Sequence, residues 1–215
     1  MRLRNVEGAR EKILSHPQHI TDIGFEDRVT LNDKFSTDRP LHLEIGAGKG
    51  RFIHTKARRH PDINFIAVEQ YDSVIVRALE KQLKTPLDNL HLVCMDAQRI
   101  EAMINPGSLS VIYLNFSDPW PKVRHEKRRL TNHFYLSQYS RMLTRNGSIE
   151  FKTDNRHFFE YSLMSFNAYG MSIDDVTLNL HEDHYPENVM TEFEMKFKDD
   201  GPIYKTKVSF KEDAQ

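Results

Sequence analysis

From Leu41 onward, short apolar runs alternate along the chain with amphipathic segments. The apolar runs predict β-strands at Leu41–Ile45, Ile63–Glu69, Leu90–Met95, Leu109–Phe116 and Ser148–Lys152. The amphipathic segments predict helices at Arg51–His60, Ser73–Lys84, Gln98–Ile104, Asn132–Leu143 and Asn155–Tyr169. Strands that alternate with helices in this way predict an α/β fold, in which a doubly wound parallel sheet is covered by helices on both faces.

The last part of the chain has a different pattern. Ile173–Leu180 and Tyr204–Phe210 read as strands that are not joined by a simple βαβ connection. Between them, Thr191–Glu194 has the Ser/Thr-x-x-Glu form of a capping box, and Gly201 stands where a helix would end. We therefore predict a helix there, although the alternating apolar residues that follow would also fit a strand.

Residues 1–39 form a polar extension, and residues 40–215 are predicted to form one domain. A short helix is predicted over Val6–Leu14, because Ser15-His16-Pro17 would end it. The rest of the extension reads as loop. A mobile or loosely docked extension is the favoured interpretation, and a basic arm that clamps nucleic acid is the alternative.

Composition limits the classes of function. Hydrophobic residues make up 39% of the chain and charged residues 28%, a balance typical of soluble globular proteins. The net charge of −1 means that any nucleic-acid partner must be met by a local basic patch. The single cysteine, Cys94, lies in an apolar run and predicts a reducing compartment. Without an apolar signal segment or membrane span, we expect a cytoplasmic protein with no membrane partner.

Glycines follow the first predicted strand in the sequence E-I-G-A-G-K-G, which contains Glu44, Gly46, Gly48 and Gly50. A dinucleotide-binding fingerprint would be spaced G-x-G-x-x-G, and here the third glycine comes one residue early. Glycines at such a turn let backbone N–H groups approach a ligand closely. A ligand-binding loop and a plain tight turn both remain open at this point.

Acids also end the second and third predicted strands. Glu69 is the last residue of one strand, and Asp96-Ala97 follow the other. The carboxyl ends of parallel strands meet at the crevice where doubly wound sheets bind ligands, and an acid there can accept hydrogen bonds from ribose hydroxyls. Each acid alone could be a helix N-cap, Asp96 in particular. As a set with Glu44, they suit a ligand that carries hydroxyls, an amine and a positive charge.

The stretch Tyr113–Arg129 reads Y-L-N-F-S-D-P-W-P-K-V-R-H-E-K-R-R. It begins as an apolar strand, which is followed by Asp118 and the sequence Pro-Trp-Pro. A dense basic run comes next. This order predicts a carboxylate at the mouth of a cleft with a polyanion bound just outside. The alternative is an ordinary Asp-Pro turn followed by a solvated charged surface.

The acid-glycine loop and the acids of the next two strands resemble the S-adenosylmethionine-dependent methyltransferases with a Rossmann-like sheet. The resemblance implies that Glu44 and the glycine loop hold the methionine part of the donor, that Glu69 binds its ribose and that Asp96 faces its adenine. It also implies an antiparallel C-terminal strand inserted beside the fifth strand, which fits Ile173–Leu180 and Tyr204–Phe210.

Over residues 41 to about 210, the motifs N-F-S-D-P-W-P-K-V-R-H-E-K-R-R, F-K-T-D-N-R and T-E-F-E resemble the tRNA (guanine-N7-)-methyltransferase family of the TrmB type. The resemblance implies methyl transfer from S-adenosylmethionine to N7 of a guanine in the variable loop of tRNA, with S-adenosylhomocysteine as the other product. Asp118 would be catalytic, adjacent to the donor methyl, with an orienting and charge-stabilising role. No metal is expected, and the protein would be a monomer or a homodimer.

The resemblance also implies two groups of substrate contacts. The predicted guanine-binding residues are Lys122, Asp154, Thr191, Glu192, Phe193 and Glu194. The predicted RNA-binding residues are Arg124, His125, Glu126, Lys127, Arg128 and Arg129. Either Asp118 or Asp154 could read the guanine edge, and Asp154 is favoured.

Other interpretations of single residues stay open. Thr191 and Glu194 could form only the capping box. Trp120 could stack on a base or plug the Asp-Pro turn, and His125 could meet a phosphate or pack in that turn. The chain shows no cysteine pair and no histidine spacing typical of metal ligands. The competing functions are methylation of another target and RNA binding without catalysis.

Overall fold

The computed structural model describes residues 6–24, 27 and 29–210. They fall into two compact units. The first unit comprises the described residues up to Asn105 with the segment Val189–Glu192, and the second comprises Pro106–Asn188 with the described residues from Phe193 onward. Residues 1–5, 25, 26 and 28 of the predicted extension lie outside the described residues.

The first unit contains four parallel strands in the spatial order β1-β4-β3-β2. These strands are β1 (Ile20–Asp22), β2 (Leu41–Ile45), β3 (Asn64–Glu69) and β4 (Leu90–Cys94). The helices of this unit are α1 (Ala9–Leu14), α2 (Arg51–Arg59) and α3 (Asp72–Lys84), with 3-10 helices at Leu31–Lys34 and Ala97–Met103. Every residue of β2, β3 and β4 is buried, as expected for parallel strands covered on both faces.

The N-terminal extension is more ordered than the sequence indicates. The predicted short helix is confirmed as α1, which buries Ala9 and Ile13. The prediction that the remainder is loop is wrong, because Ile20–Asp22 pairs in parallel with β4 and Leu31–Lys34 is a 3-10 helix. A strand of three residues is too short to show a hydrophobic period, so its pairing partner decides its conformation.

The second unit contains four strands in the spatial order β5-β6-β8-β7. They are β5 (Leu109–Asn115), β6 (Leu143–Thr153), β7 (Met171–Thr177) and β8 (Tyr204–Phe210). β5 and β6 are parallel, whereas β8 is antiparallel to both β6 and β7. The helices of this unit are α4 (His133–Met142) and α5 (Arg156–Ala168), with a 3-10 helix at Val123–Arg128. The last helix, α6 (Glu192–Phe197), belongs to this unit except for Glu192. The antiparallel strand beside the fifth predicted strand is confirmed.

Two boundaries in this unit differ from the prediction. The predicted stop Arg145-Asn146-Gly147 lies inside β6, which already begins at Leu143. A Cβ on Gly147 would come within 2.8 Å of the Leu143 side chain and 3.0 Å of the Leu109 carbonyl oxygen. Gly147 therefore serves close packing within an irregular strand pair rather than a turn. The predicted strand Ile173–Leu180 ends earlier, at Thr177.

The alternating segment after Thr191 is a helix and not a strand. α6 spans Glu192–Phe197, and the backbone N–H of Lys198 donates to the carbonyl of Glu194 at 2.9 Å. Among the described residues, no helix is both long and apolar enough to cross a membrane.

Candidate active site

The glycine loop after β2 has a left-handed backbone at all three glycines, with φ of 79° at Gly46, 59° at Gly48 and 78° at Gly50. The N–H groups of Gly46 and Ala47 donate to the carbonyl of Val68, at 2.8 and 2.9 Å. A Cβ at Gly46 or Gly48 would meet no atom within 4 Å, so the loop presents open backbone to a ligand. Gly50 differs, because a Cβ there would lie 2.6 Å from a side-chain atom of α3.

Glu69, the last residue of β3, is bound to this loop. Its Oε2 accepts from the backbone N–H of Gly48 at 3.2 Å. Its Oε1 accepts from the N–H groups of Gln70 and Tyr71, at 2.9 and 3.2 Å. Glu44 is buried within β2, with 1% of its surface exposed. The first unit thus brings the predicted acid of β3 together with the predicted glycine loop.

Asp96 stands at the start of the 3-10 helix Ala97–Met103, and its side chain is an N-cap as the alternative interpretation expected. Its Oδ1 accepts from the N–H of Gln98 at 2.9 Å. Asp96 is exposed and Ala97 half-buried. A carboxylate has about four acceptor positions, so a cap bond leaves capacity for a ligand.

Glu192 belongs to this region, a contact that sequence reasoning missed. Its Oε1 accepts from Lys81 Nζ at 2.8 Å, and its Oε2 accepts from the backbone N–H of Arg51 at 3.3 Å. The Lys81 ammonium also donates to the carbonyl of Lys49 at 2.6 Å. The pair therefore supports the end of the glycine loop and the first turn of α2. No local pattern signals it, because 111 residues separate the two partners.

In the second unit, Asp118 is exposed on a turn that follows β5. Phe116 and Trp120 on either side have φ of 51° and 42°, and they are the non-glycine residues with positive φ in the described part of the chain. Such a backbone costs a bulky residue about 1–3 kcal/mol. The N–H of Phe116 donates to the carbonyl of Lys152 on β6 at 2.8 Å, which fixes the start of the turn.

Arg129 holds the other end of this turn. Its Nε donates to the carbonyl of Pro119 at 3.0 Å, and its Nη2 donates to the carbonyl of Trp120 at 3.1 Å. The guanidinium carbon lies 4.1 Å from the ring centroid of Tyr161. Burial raises the pKa of Tyr161, so its ring stays a neutral phenol at physiological pH.

Trp120 packs within the turn. Its ring meets that of His125 edge-on, with centroids 5.5 Å apart. The Arg128 guanidinium lies 4.9 Å from the Trp120 ring centroid. These contacts fit the interpretation in which Trp120 plugs the Asp-Pro turn and His125 packs against it.

The basic run begins in the 3-10 helix Val123–Arg128 and presents most of its cations to solvent. The exposed basic side chains are those of Lys122, Arg124, Lys127 and Arg128. Glu126 is half-buried and its Oε1 accepts from the hydroxyl of Tyr161 at 3.0 Å. The six predicted RNA-binding residues therefore divide into exposed cations and residues that contact the turn or α5.

The predicted guanine-binding residues of the second unit are also divided. Asp154 directly follows β6 and is exposed. Glu194 is fully buried, and its Oε2 accepts from Lys152 Nζ at 2.8 Å. The ring of Phe193 lies 5.0 Å from that of Phe116, centroid to centroid. Thr191, which belongs to the first unit, is half-buried.

The described part of the chain contains neither a metal-binding cluster nor an exposed cysteine. No set of three or more His, Cys, Asp or Glu side chains there could hold a metal ion. Cys94 is buried, and burial raises the pKa of its thiol to about 12, as expected for a core residue.

Solved structures with similar folds are methyltransferases. The structure titled "Structure of an Antibiotic Related Methyltransferase" has a TM-score of 0.60 at 19% identity, covering 79% of this chain and 86% of that one. A SAM dependent methyltransferase from Aquifex aeolicus has a TM-score of 0.56 at 12% identity, covering 83% and 86%. At these identities the likeness concerns the fold, and the predicted Rossmann-like methyltransferase sheet with an antiparallel C-terminal strand is confirmed.

Sequence comparisons identify the family. A family model described as "Putative methyltransferase" matches residues 38–206. A "tRNA (guanine-N(7)-)-methyltransferase" from Geobacillus sp. (strain WCH70) is 47% identical over 211 residues, which are 98% of this chain and 96% of the relative. A protein of the same name from Lactiplantibacillus plantarum is 48% identical, covering 98% and 99%. The chain belongs to the tRNA (guanine-N(7)-)-methyltransferase family.

Proposed function

We propose that the protein transfers a methyl group from S-adenosylmethionine to N7 of a guanine in the variable loop of tRNA. The products are 7-methylguanosine in the tRNA and S-adenosylhomocysteine. The observation that carries the proposal is the exposed Asp118 carboxylate on a strained turn that leads directly into exposed cations. Relatives 47 and 48% identical over nearly their whole length, which are named for this activity, support it.

The first unit offers groups that fit the methyl donor. Open backbone at Gly46 and Gly48 suits the methionine part, and the Glu69 carboxylate at the same loop suits the ribose hydroxyls. Glu44, Gly50 and the Asp96-Ala97 step complete the proposed donor site. When bound, the donor supplies an electrophilic methyl group on a sulfonium.

The role proposed for Asp118 follows from the nucleophile. Guanine N7 carries a lone pair and no proton, so attack on the methyl group needs no general base. The protein then contributes alignment, which can be worth about 7–11 kcal/mol at best. The methylated ring is cationic, and an anion beside it stabilises the charge that develops in the transition state. Asp118 orients the guanine and stabilises this charge.

Guanine differs from adenine in offering N–H donors at N1 and N2. Asp154 is exposed at the end of β6, and we assign it as the acceptor for that edge. Lys122, Thr191 and Phe193 are proposed to complete the guanine site. Glu194 is fully buried in a pair with Lys152, which favours a supporting role over direct contact.

The exposed cations are proposed to bind the tRNA backbone. Arg124, Lys127 and Arg128 can meet phosphates, and such contacts set position and affinity without reading sequence. His125 and Glu126 contribute through the turn they pack against. A cytoplasmic location is part of the proposal because tRNA is the substrate, and a monomer or homodimer is predicted.

The test uses donor labelled on its methyl group with tRNA made without modifications, followed by nucleoside analysis. The expected product is 7-methylguanosine, formed at least about 100-fold more slowly by the Asp118→Asn variant. A methylated adenosine, or a nucleoside methylated on an exocyclic amine of its base, would show that the protein acts on another target. Binding of tRNA with no transfer by the folded wild-type protein would favour the RNA-binding alternative.

A further inference from the structure

We propose that Arg129 is a positioning residue that holds the Asp118 turn in its reactive shape, and that it is not one of the phosphate contacts of the basic run. The inference rests on the proposed function, since it concerns the same carboxylate. It separates Arg129 from Arg124, Lys127 and Arg128, with which the sequence groups it.

The hydrogen bonds of Arg129 point inward, to the turn. Its Nε and Nη2 donate to the carbonyls of two consecutive residues, Pro119 and Trp120, at 3.0 and 3.1 Å. These carbonyls belong to the Pro119–Trp120 and Trp120–Pro121 peptide groups, one and two residues after Asp118. A guanidinium presents several N–H donors in a rigid plane, and an ammonium cannot reproduce that fork. Arginine at this position thus fixes two successive peptide planes together.

The turn needs such support because it is strained on both sides of the carboxylate. Phe116 and Trp120 have positive φ, which bulky side chains disfavour. Such conformations persist only where the surrounding structure determines them, and they occur at sites where a group must be held ready. At the start of the turn, the Phe116 N–H is bound by β6; at the end, Arg129 binds the carbonyl of Trp120.

Arg129 itself is held in place by a contact with Tyr161 on α5. Its guanidinium carbon lies 4.1 Å from the ring centroid of Tyr161 on α5. The Tyr161 hydroxyl donates to Glu126 at 3.0 Å and accepts from the side-chain amide of Asn132 at 3.2 Å. Asn132 is the N-cap of α4, where its side chain accepts from the N–H of Phe134. The support of Asp118 therefore runs from the turn to the middle of α5 and to the N-terminus of α4.

Burial separates Arg129 from its neighbours in the run. Lys127 and Arg128 are exposed, whereas Arg129 is half-buried. Its Nε and one of its terminal nitrogens are already engaged by the turn carbonyls. Loss of the fork should therefore slow methyl transfer at saturating substrate and leave tRNA affinity nearly unchanged.

The decisive comparison is Arg129→Lys, which keeps the charge and loses the fork. We expect the single-turnover rate at saturating tRNA and donor to fall at least about tenfold. The Kd for tRNA and its dependence on salt should stay close to wild type. Arg129→Gln should behave in the same way. Arg124→Gln is the matched comparison, because removal of a true phosphate contact lowers the salt slope by about one and weakens binding.

A phosphate contact at Arg129 would give the opposite result. Arg129→Lys would then transfer methyl groups at the wild-type rate, and Arg129→Gln would lower the salt slope as Arg124→Gln does. Either of these results would overturn the proposal. Thermal melts of each variant show whether the fold is kept.

A second measurement is independent of activity. Trp120 is the single tryptophan of the chain, so tryptophan fluorescence reports on the turn alone. Arg129→Lys should shift its emission in the folded protein. Tyr161→Leu removes the aromatic ring under Arg129, so it should also shift the emission and slow methyl transfer. Tyr161→Phe should give values between those of Tyr161→Leu and wild type.

The proposal would be overturned if Arg129→Lys and Tyr161→Leu both kept the wild-type emission and the wild-type transfer rate. If wild-type protein formed no 7-methylguanosine, the proposed function would fail, and the emission would still decide the role of Arg129.

Discussion

Lys152 and Glu194 form an ion pair inside the second unit, with Lys152 Nζ 2.8 Å from Glu194 Oε2 and side chains only 4% and 0% exposed. Glu194 Oε1 also accepts from the side-chain amide of Asn188 at 2.8 Å. Burying both charges costs several kcal/mol, which the pair offsets only while both members and their hydrogen bonds are in place. The pair links β6 to α6, and Asn188 links the segment before α6 to both members of the pair.

Removing one partner should therefore be strongly destabilising. We expect Lys152→Met to lower the free energy of unfolding by about 3–5 kcal/mol, because it leaves the Glu194 carboxylate buried without its cation. Urea denaturation followed by circular dichroism measures this change. Arg156→Ala is the control, since the Arg156–Glu160 pair is exposed and its loss should leave unfolding unchanged.

The double variant Lys152→Met with Glu194→Leu should recover part of the lost stability, because no charge is then left buried. A Glu194→Gln protein with wild-type stability but weakened tRNA methylation would contradict the supporting role. It would mean that the carboxylate acts on the substrate, as the family resemblance implies.

Asp118 should be needed for the chemical step. Asp118→Asn keeps the size of the side chain and removes its charge, and we expect turnover to fall at least about 100-fold, as for loss of one preorganised electrostatic contact. Donor binding, measured by calorimetry, should change by no more than a few-fold. Asp62→Asn replaces an exposed acid elsewhere and serves as the control. Turnover by Asp118→Asn near the wild-type rate would refute the role assigned to this residue.

The pair between Lys81 and Glu192 should govern donor affinity. Glu192→Gln removes the charge that holds Lys81 at the Lys49 carbonyl, so the glycine loop loses support and the Kd for the donor should rise several-fold. Lys81→Met should have a similar effect, and the double variant little more, because the two residues act as one unit. Isothermal titration with donor alone measures this. A Glu192→Gln variant that binds donor normally and tRNA poorly would instead support a substrate contact.

Most of the fold follows from local pattern. Leu41–Ile45 and Tyr204–Phe210 have the predicted bounds, because a buried parallel strand and an alternating strand carry clear hydrophobic periods. The failures have physical causes. Ile20–Asp22 is a strand only because β4 offers it a partner, and Asn146-Gly147 reads as a turn while tertiary packing keeps it in β6.

The candidate site was predictable where strand ends meet. Glu69 and Gly48 could be expected together because parallel strands deliver their carboxyl ends to one edge. The pairs Lys81–Glu192 and Lys152–Glu194 could not, since 111 and 42 residues separate their members. The same holds for Arg129: composition assigns it to the basic run, and only the position of the turn carbonyls shows where its donors point.

Two buried histidines should make the fold sensitive to acid. Burial lowers the pKa of His42 and of His91 from 6.5 to about 4, and His91 Nε2 lies 2.9 Å from Thr21 Oγ1 in the β1–β4 pair. Between pH 6.5 and about 4, the unfolded chain binds protons at these histidines that the folded protein does not bind. Their contribution to the free energy of unfolding is therefore fully present above about pH 6.5 and is lost as the pH decreases toward 4.

At pH 5 each histidine should contribute a loss of about 2 kcal/mol relative to pH 7.5. His91→Gln removes one titrating group, so the difference in unfolding free energy between pH 7.5 and pH 5 should be smaller in this variant by about that amount. Urea denaturation at the two pH values measures it, and His157→Gln, whose side chain is 94% exposed, is the control. A His91→Gln protein that loses as much stability as wild type on acidification would show that His91 is already protonated in the folded state or titrates normally.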